Sequence, residues 1–330
     1  MFWEARIWPR EQLTLDRLRR AALAVRLPIY VVQREIIFYD SLSAIIECAP
    51  SKVVLKGGSL ISRVYSRFPR FSWDIDLAAP IPRKEAFALG RLARRLRTAG
   101  RVSRTRLNGS ELVLGLFERD EEKDVFVDLY SLRRPMTTYS VGAPLGTFIR
   151  SRKLTVARLD RALMRLRERL GGLPMVDYVR ATISLGEEMR GGTREVRVPS
   201  ILGRFLRPIR TVTCKASCEE FCLIDKLARM SRPVTQTNLR DQMCDLYDAG
   251  QLLRRKLETE RLRRRYEHLY RRRTTPPISE MRESLLENAT TLRRAEFSSR
   301  REFLMVPKSF NWKTYVDKTI GEMSTVLQQI

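Results

Sequence analysis

Residues 55–80 read LKGGSLISRVYSRFPRFSWDIDLAAP, and two patterns within them decide the fold. The first is a glycine turn at residues 57–59, which follows the short apolar run KVVLK. Such a run leading into glycines is typical of a buried strand. The second is a pair of aspartates, Asp74 and Asp76, in a segment whose polar and apolar residues alternate as in a strand. The order strand, turn, helix and strand predicts a compact α/β unit.

The glycine turn is a candidate site for phosphate oxygens. Backbone N–H groups at the beginning of a helix are free to donate, and glycine lets a ligand approach them closely. Gly57 and Gly58 would supply these amides, and Ser59 would begin the helix as its N-cap and add a hydroxyl donor. A tight turn without a ligand explains the same three residues equally well.

The two aspartates are candidate metal ligands. Residues two apart on a strand project from the same face, so Asp74 and Asp76 should lie together. Adjacent carboxylates repel unless a cation lies between them, and oxygen ligands suit Mg²⁺ or Mn²⁺. Asp128, on the apparent strand DVFVDLY, would complete a three-carboxylate site if the two strands are neighbours, with Asp124 as the weaker choice. The alternative is a solvated strand end with two harmless aspartates.

Composition limits the functions that this chain can have. Its 330 residues carry 63 Lys and Arg against 38 Asp and Glu, a net charge of +25. A field of this sign attracts polyanions, although a host that favours arginine would give the same composition. The only histidine, His268, makes His-based catalysis improbable. No apolar run is long enough to span a membrane, and we expect a cytoplasmic protein without membrane contact.

Three of the five cysteines lie in the run CKASCEEFC, residues 214–222, at a spacing of four. This spacing predicts one helical face that carries all three thiols. A metal site is possible there, but zinc takes four ligands and prefers a shorter spacing. The pattern therefore favours a small apolar stripe facing the core.

The motifs in residues 55–80 resemble those of a known family. LKGGSL followed by RFSWDIDL resembles the nucleotidyltransferases with a polymerase-β-type core, and more narrowly the AbiEii / MenT toxin family. Downstream, CEEFCLIDKLAR and RDQMCDLYDAGQLL are similar to two further family segments. By this resemblance Lys226 matches the active-site lysine. Asp245 and Asp248 compete for the later aspartate, and Asp245 is preferred.

The resemblance implies transfer of a nucleoside monophosphate from an NTP, with release of pyrophosphate. Asp74, Asp76 and Asp128 would hold the metal, and Asp128 could also accept the attacking proton. Lys226 would offset charge on the leaving pyrophosphate. The nucleotide-binding residues would be those around the glycine turn: Lys56, Gly57, Gly58, Ser59 and Arg70. Lys56 and Arg70 would either bind phosphate or be plain surface ions.

The sequence specifies the molecule that accepts the nucleotide less closely than it specifies the reaction. MenT-type relatives act on the acceptor end of tRNA, so the resemblance implies an RNA acceptor, first of all the tRNA 3′ end, and a possible cognate antitoxin. Arginine-rich stretches at 91–106, 150–169 and 254–273 suit an RNA backbone. Within the last stretch, Tyr266 and Tyr270 could stack on bases, although burial in the core is the commoner fate of such residues. Alternatives are a protein hydroxyl, a small molecule, or a non-catalytic RNA-binding protein on this scaffold.

The predicted fold class is α/β, a polymerase-β-type core with a mixed sheet followed by a mainly helical C-terminal region. The predicted parts are an N-terminal helical segment at 1–50, a nucleotidyltransferase core at 51–148 and a basic helical domain at 149–330.

Overall fold

A computed structural model describes most of the chain outside residues 117–178. The described residues are 15–27, 29–48, 53–66, 70–72, 74–79, 102–108, 111–116, 179–185, 189, 191–203, 205–206, 211–297, 303 and 305–330. The predicted helices at 84–100 and 157–172 and the strand that carries Asp124 and Asp128 lie outside them.

The chain divides into two compact units. The first comprises residues 1–53, 73–188 and 197–214, and the second comprises residues 54–72, 189–196 and 215–330. The three consecutive parts at 1–50, 51–148 and 149–330 stay a prediction.

The first unit contains two helices and a mixed sheet. The helices are α1 (Leu15–Ala24) and α2 (Ile29–Cys48), and the strands are β2 (Ile75–Ala79), β3 (Val102–Asn108), β4 (Glu111–Leu116) and β5 (Val179–Leu185). The strand order is β3-β4-β5-β2, in which only the β2–β5 pair is parallel. The described apolar side chains of α2, among them Ile36 and Leu42, are buried, and its Tyr39 hydroxyl donates to the Val198 carbonyl at 2.7 Å.

The second unit joins a few strands to a group of helices. Its elements are β1 (Val54–Lys56), α3 (Gly57–Leu60), a π-helical turn (Ile61–Tyr65) that continues α3, most of β6 (Thr193–Val198), the second half of β7 (Val212–Ser217), α4 (Glu219–Met230), α5 (Leu239–Leu252), α6 (Thr259–Arg271), α7 (Ile278–Arg294) and α8 (Trp312–Gln329). β1 pairs with β7 in parallel, Leu55 opposite Ala216, and β6 is the next strand beyond β7. Helix α4 packs against α5, α6 and α7.

An aromatic cluster fastens α8 to α5. It consists of Tyr247, Phe297, Phe303, Phe310, Trp312 and Tyr315. The Tyr315 hydroxyl donates to the Tyr247 carbonyl at 2.8 Å, and the Trp312 indole donates to the Leu292 carbonyl at 2.7 Å. Because aromatic pairs add to the burial of their rings, this cluster fixes the part of α5 that carries Asp245 and Asp248.

The α/β class with a helical C-terminal part is confirmed. So are the helical N-terminal segment over residues 15–48, the strands predicted around residues 54–56 and 75–79, and the helices of the C-terminal domain between residues 219 and 294. The helical prediction beyond 149 is wrong for residues 179–185, 193–198 and 212–217, which form β5, β6 and β7. In β7 buried and exposed residues alternate as in a strand, and this period of two outweighs the spacing of the cysteines.

The prediction that the three cysteines face the core is confirmed, but the single helical face is wrong for the same reason. Cys214 lies on β7, Cys218 stands at the N-cap of α4, and Cys222 lies inside α4, so the three thiols share no helical face. All three are buried, and burial raises the pKa of the Cys218 thiol to about 12.

Candidate active site

The glycine turn connects β1 directly to α3. Helix α3 begins at Gly57, whose φ of 75° lies in the left-handed region that favours glycine. The next residue, Gly58, is closely packed: a Cβ atom there would lie 2.5 Å from Arg70 Nη2 and 2.9 Å from Ser72 Oγ. The two glycines are therefore required for different reasons. Gly57 is needed because its φ is positive, and Gly58 because Arg70 packs where a Cβ atom would lie.

Ser59 is not the N-cap that the sequence predicted. The N-cap is Lys56, which is half-buried, and Ser59 lies within α3 with a fully buried side chain. Its hydroxyl contacts the hydroxyl of Ser72 at 3.2 Å. The helix begins earlier than predicted because Gly57 turns the chain at the end of β1. Binding of phosphate by the Ser59 hydroxyl stays a prediction.

The Arg-x-Ser segment, residues 70–72, is bound along α3 and the π-helical turn. The Ser62 hydroxyl donates to the Arg70 carbonyl at 2.5 Å, and Arg63 Nη1 donates to the Ser72 carbonyl at 2.8 Å. Together with the contact between Ser59 and Ser72, these bonds hold the second motif against the first. Sequence reasoning gave Ser72 and Arg63 no role of their own, although Ser72 is part of the motif.

A buried cluster of four charged side chains connects this segment to α4 and α5. Arg70 donates to both carboxylate oxygens of Asp248, from Nε at 2.6 Å and from Nη2 at 2.5 Å. Lys226 Nζ lies 2.6 Å from an oxygen of Asp248 and 2.6 Å from an oxygen of Asp245. Arg70, Lys226 and Asp248 are 4%, 2% and 1% exposed. Two cations face two carboxylates, which is the arrangement that allows charges to be buried.

The two aspartates of α5 differ in their surroundings. Burial alone would raise the pKa of Asp248, but Arg70 and Lys226 outweigh it and hold that pKa below its ordinary value. Asp245 lies at the outer end of the cluster, where Arg229, 45% exposed, donates to it at 3.0 Å. Asp248 is thus enclosed by Arg70 and Lys226, whereas Asp245, also buried at 7% exposure, has the half-exposed Arg229 as one of its two partners.

The aspartates of β2 belong to the first unit. Asp74 is exposed just before the strand, and Asp76 is half-buried within it, with Thr182 of β5 opposite. Ile75 and Leu77 are fully buried, so the predicted alternation along this strand is confirmed. Two carboxylates that retain solvent access at one strand fit Mg²⁺ or Mn²⁺ in ligand chemistry. Among the described residues, which do not include Asp128, no three acidic, His or Cys side chains gather around a metal position.

The match to a family model covers most of the chain. The model describes the nucleotidyl transferase AbiEii toxin of a type IV toxin–antitoxin system and matches residues 49–318. The chain belongs to the AbiEii family. Its enzyme class is accordingly nucleotidyltransferase, as the sequence motifs predicted.

A solved structure, that of MenT4, shows the same fold as this AbiEii-family chain. MenT4, a nucleotidyltransferase toxin from Mycobacterium tuberculosis, superimposes with a TM-score of 0.55 at 16% identity, covering 96% of this chain and 90% of MenT4. JHP933 from Helicobacter pylori gives a TM-score of 0.37 at 11% identity, with 97% and 92% covered. No curated protein matches the sequence. In the part of the chain that the structure describes, no helix is long and apolar enough to cross a membrane.

Within this AbiEii-family protein, the fold brings together most predicted residues of the second unit. Lys226, Asp245 and Arg70 lie in one cluster with Gly58, and Asp248 belongs to it as well. The alternative that Arg70 is a plain surface ion is wrong, because its guanidinium is buried and paired. Whether these residues contact the nucleotide stays a prediction.

Proposed function

We propose that this protein transfers a nucleoside monophosphate from an NTP to RNA, at the 3′ end of tRNA, in a metal-dependent reaction. The observation that carries the proposal is the cluster of Lys226, Asp245, Asp248 and Arg70, which ties the helical segments of the family pattern to the glycine turn. Buried charges are costly unless paired, so a cluster of this kind is a candidate functional site.

Asp74 and Asp76, with Asp128, would hold Mg²⁺ or Mn²⁺, which when bound neutralises triphosphate charge and makes a hydroxyl a better nucleophile. In the same proposal Asp128 accepts the proton of the attacking hydroxyl. Only Trp73 separates Ser72 from Asp74 in the chain. The segment that the glycine turn binds therefore leads directly into the proposed metal ligands.

The residues of the second unit would bind and orient the triphosphate. The backbone N–H groups at the beginning of α3 can donate to its outer phosphates, as helix N-termini do for anions. Arg229 and Asp245 form the part of the charged cluster that a ligand meets first. A phosphate that replaces Asp245 as the partner of Lys226 keeps a charge-assisted contact to that ammonium group, so Lys226 can offset charge on pyrophosphate as it leaves.

An arginine-rich face around the beginning of α4 supports an RNA acceptor. Arg194 of β6 and Arg255, after α5, both reach one oxygen of Glu219, at 2.7 Å and 3.4 Å. Arg264 Nη1 of α6 lies 2.8 Å from the position of a Cβ on Gly191. Three arginines from distant segments thus lie around the beginning of α4, an arrangement that suits a phosphate backbone. A small-molecule acceptor has no need of such a face.

The test is incubation of the protein with total tRNA, Mg²⁺ and each labelled NTP in turn. We expect label in RNA with wild type and none with Asp76→Ala. The control Asp241→Ala, which removes an exposed carboxylate of α5, should transfer as wild type does. Absence of label in RNA with all four NTPs would refute the proposal, and label in protein would move the acceptor to a protein hydroxyl.

The family description also leads us to propose a cognate antitoxin and a toxic effect in the host cell. Expression of wild type should arrest growth, whereas expression of Asp76→Ala to the same level should not. Equal growth of the two strains would refute the toxic role and leave the transferase activity to be judged by the labelling experiment.

A further inference from the structure

A cavity lies where α6 ends, in a part of the second unit that the proposed chemistry does not use. Its volume is about 520 Å³, and it is lined by Tyr270, Arg271, Arg273, Thr274, Thr275 and Pro276. Ligand sites commonly have volumes of this order. The lining contains two arginines and no acidic residue, so the cavity favours an anionic ligand. We refer to it below as the Tyr270 cavity.

Tyr270 is the aromatic wall of the cavity and is 49% exposed. Its ring stacks on that of Tyr266, with centroids 5.7 Å apart and planes 23° from parallel. Tyr266 is only 9% exposed, and its hydroxyl donates to the Pro276 carbonyl at 3.4 Å. The buried tyrosine therefore holds the exposed one in place. An ordered, half-exposed aromatic ring is a platform on which a nucleobase can stack.

Arg273 has a backbone conformation that most residues avoid. Its φ is 53°, in the left-handed region, where an arginine is less stable than glycine. The turn is held by hydrogen bonds from Arg273 N to the Tyr270 carbonyl at 2.8 Å and from Thr274 N to the Leu269 carbonyl at 3.0 Å. These two bonds form the usual C-terminal turn of a helix, which places Arg273, a cation, in the lining of the cavity.

The charges of the cavity are available to a ligand. Arg271 is paired only loosely with Glu267, at 3.3 Å, with both side chains largely exposed. Arg273 has no ion-pair partner within the described residues. A phosphate can therefore bind either guanidinium without breaking a buried pair, and arginine is the side chain best shaped to bind phosphate.

We propose that the Tyr270 cavity binds one unpaired nucleotide of an RNA, with the base stacked on Tyr270 and its phosphate held by Arg271 and Arg273. The inference rests on the proposed function for its RNA partner and adds a docking site for a single-stranded segment of that partner. Bases inside a duplex are already stacked and cannot reach an aromatic platform, so the site selects single-stranded RNA.

The test measures binding of a fluorescent eight-nucleotide single-stranded RNA to the full chain by anisotropy, beside a blunt RNA duplex. We expect Tyr270→Ala to weaken binding of the single strand by about tenfold or more, and Tyr270→Phe to stay within about twofold, because stacking needs the ring alone. Neither variant should change binding of the duplex. Equal affinity of Tyr270→Ala and wild type for the single strand would overturn the proposal, as would an equal loss for the duplex.

A charge variant gives a second, independent measurement. Arg273→Gly keeps a residue that accepts the left-handed backbone and removes the cation, so it should fold and bind more weakly. Its salt dependence, the slope of log K against log salt, should be smaller by about 0.7. The control Arg293→Gln removes an exposed arginine of α7 that pairs with Asp317, and should leave both quantities unchanged. An unchanged salt slope in Arg273→Gly would count against the phosphate contact.

Transfer of label to tRNA by the same preparations separates this proposal from the proposed function. If wild type transfers label and Tyr270→Ala binds the single strand as wild type does, nucleotide binding in the Tyr270 cavity is refuted and the proposed transferase activity is supported. If wild type labels no RNA while Tyr270→Ala loses affinity for the single strand, nucleotide binding in the Tyr270 cavity is supported and RNA as the acceptor is refuted.

Discussion

Replacement of Asp248 by alanine is expected to destabilise the protein more than any other single change in the charged cluster. Asp248 is the only carboxylate that contacts both Arg70 and Lys226 among the described residues. Its removal leaves the Arg70 guanidinium buried without a counter-ion, whereas Lys226 keeps Asp245. Loss of one partner from a buried ion pair costs about 3–5 kcal/mol of unfolding free energy.

Asp245→Ala is the matched comparison. Lys226 then keeps Asp248, and Arg229 is exposed enough to be hydrated, so we expect a loss of about 1–2 kcal/mol. We also expect Asp245→Ala to reduce transfer of label, because Asp245 positions both Lys226 and the half-exposed Arg229. Asp248 would then be a positioning residue and Asp245 the functional aspartate, the assignment that the sequence preferred.

Urea unfolding at pH 7, followed by circular dichroism, measures both losses as midpoint shifts at constant slope. Equal urea midpoints for Asp248→Ala and Asp245→Ala would refute the reasoning. The double variant Arg70→Leu/Asp248→Leu should lose less stability than the sum of its two single variants, because neither charge is left alone. Strict additivity would mean that Arg70 and Asp248 are not coupled.

The contribution of Asp248 should also depend on pH. Its pKa is lower in the folded protein than in the unfolded chain, because Arg70 and Lys226 outweigh the effect of burial. The stabilisation is therefore complete above the unfolded-state pKa of about 3.9 and is lost as the pH falls through the folded-state pKa. The stability difference between wild type and Asp248→Ala should be constant near neutrality and shrink in acid below about pH 4. A difference that grows on acidification would contradict the sign of the shift.

Three further changes test other parts of the structure. Gly58→Ala should lower the unfolding free energy by about 1–3 kcal/mol, since its Cβ would lie 2.5 Å from Arg70 Nη2; an unchanged urea midpoint would argue against this packing. Asp76→Ala should abolish transfer of label and leave the urea midpoint near that of wild type, because Asp76 is half-exposed; retained transfer would remove it from the metal site. Tyr315→Phe should cost about 1 kcal/mol through loss of the hydrogen bond to the Tyr247 carbonyl, measured in the same unfolding experiment.

The elements near the motifs could be predicted because their signals are local. The apolar run before Gly57 and the alternation around Asp76 each span a few residues, and both strands form as expected. The helix that carries Lys226 and the helix that carries Asp245 were also predictable, because apolar side chains recur along each at helical spacing.

Strands β5, β6 and β7 could not be identified in the same way. A strand is stabilised by its neighbours, and β5 pairs with β2, which lies far away in the sequence: Ala181 is opposite Ile75. The cysteine run shows the difficulty most clearly. A spacing of four indicates a helix, yet Cys214 belongs to a strand because β7 pairs with β1 through Ala216. No signal within residues 212–217 specifies that partner.

The sequence by itself determined the chemistry of this protein, because the glycine turn, the aspartates and Lys226 are recognisable in short segments. Only the tertiary structure decided the role of Arg70. From the sequence it was either a phosphate ligand or a surface ion, and the structure instead buries it against Asp248, 178 residues away along the chain. A buried guanidinium requires a carboxylate, and which carboxylate meets it depends on how α5 packs beside the glycine turn.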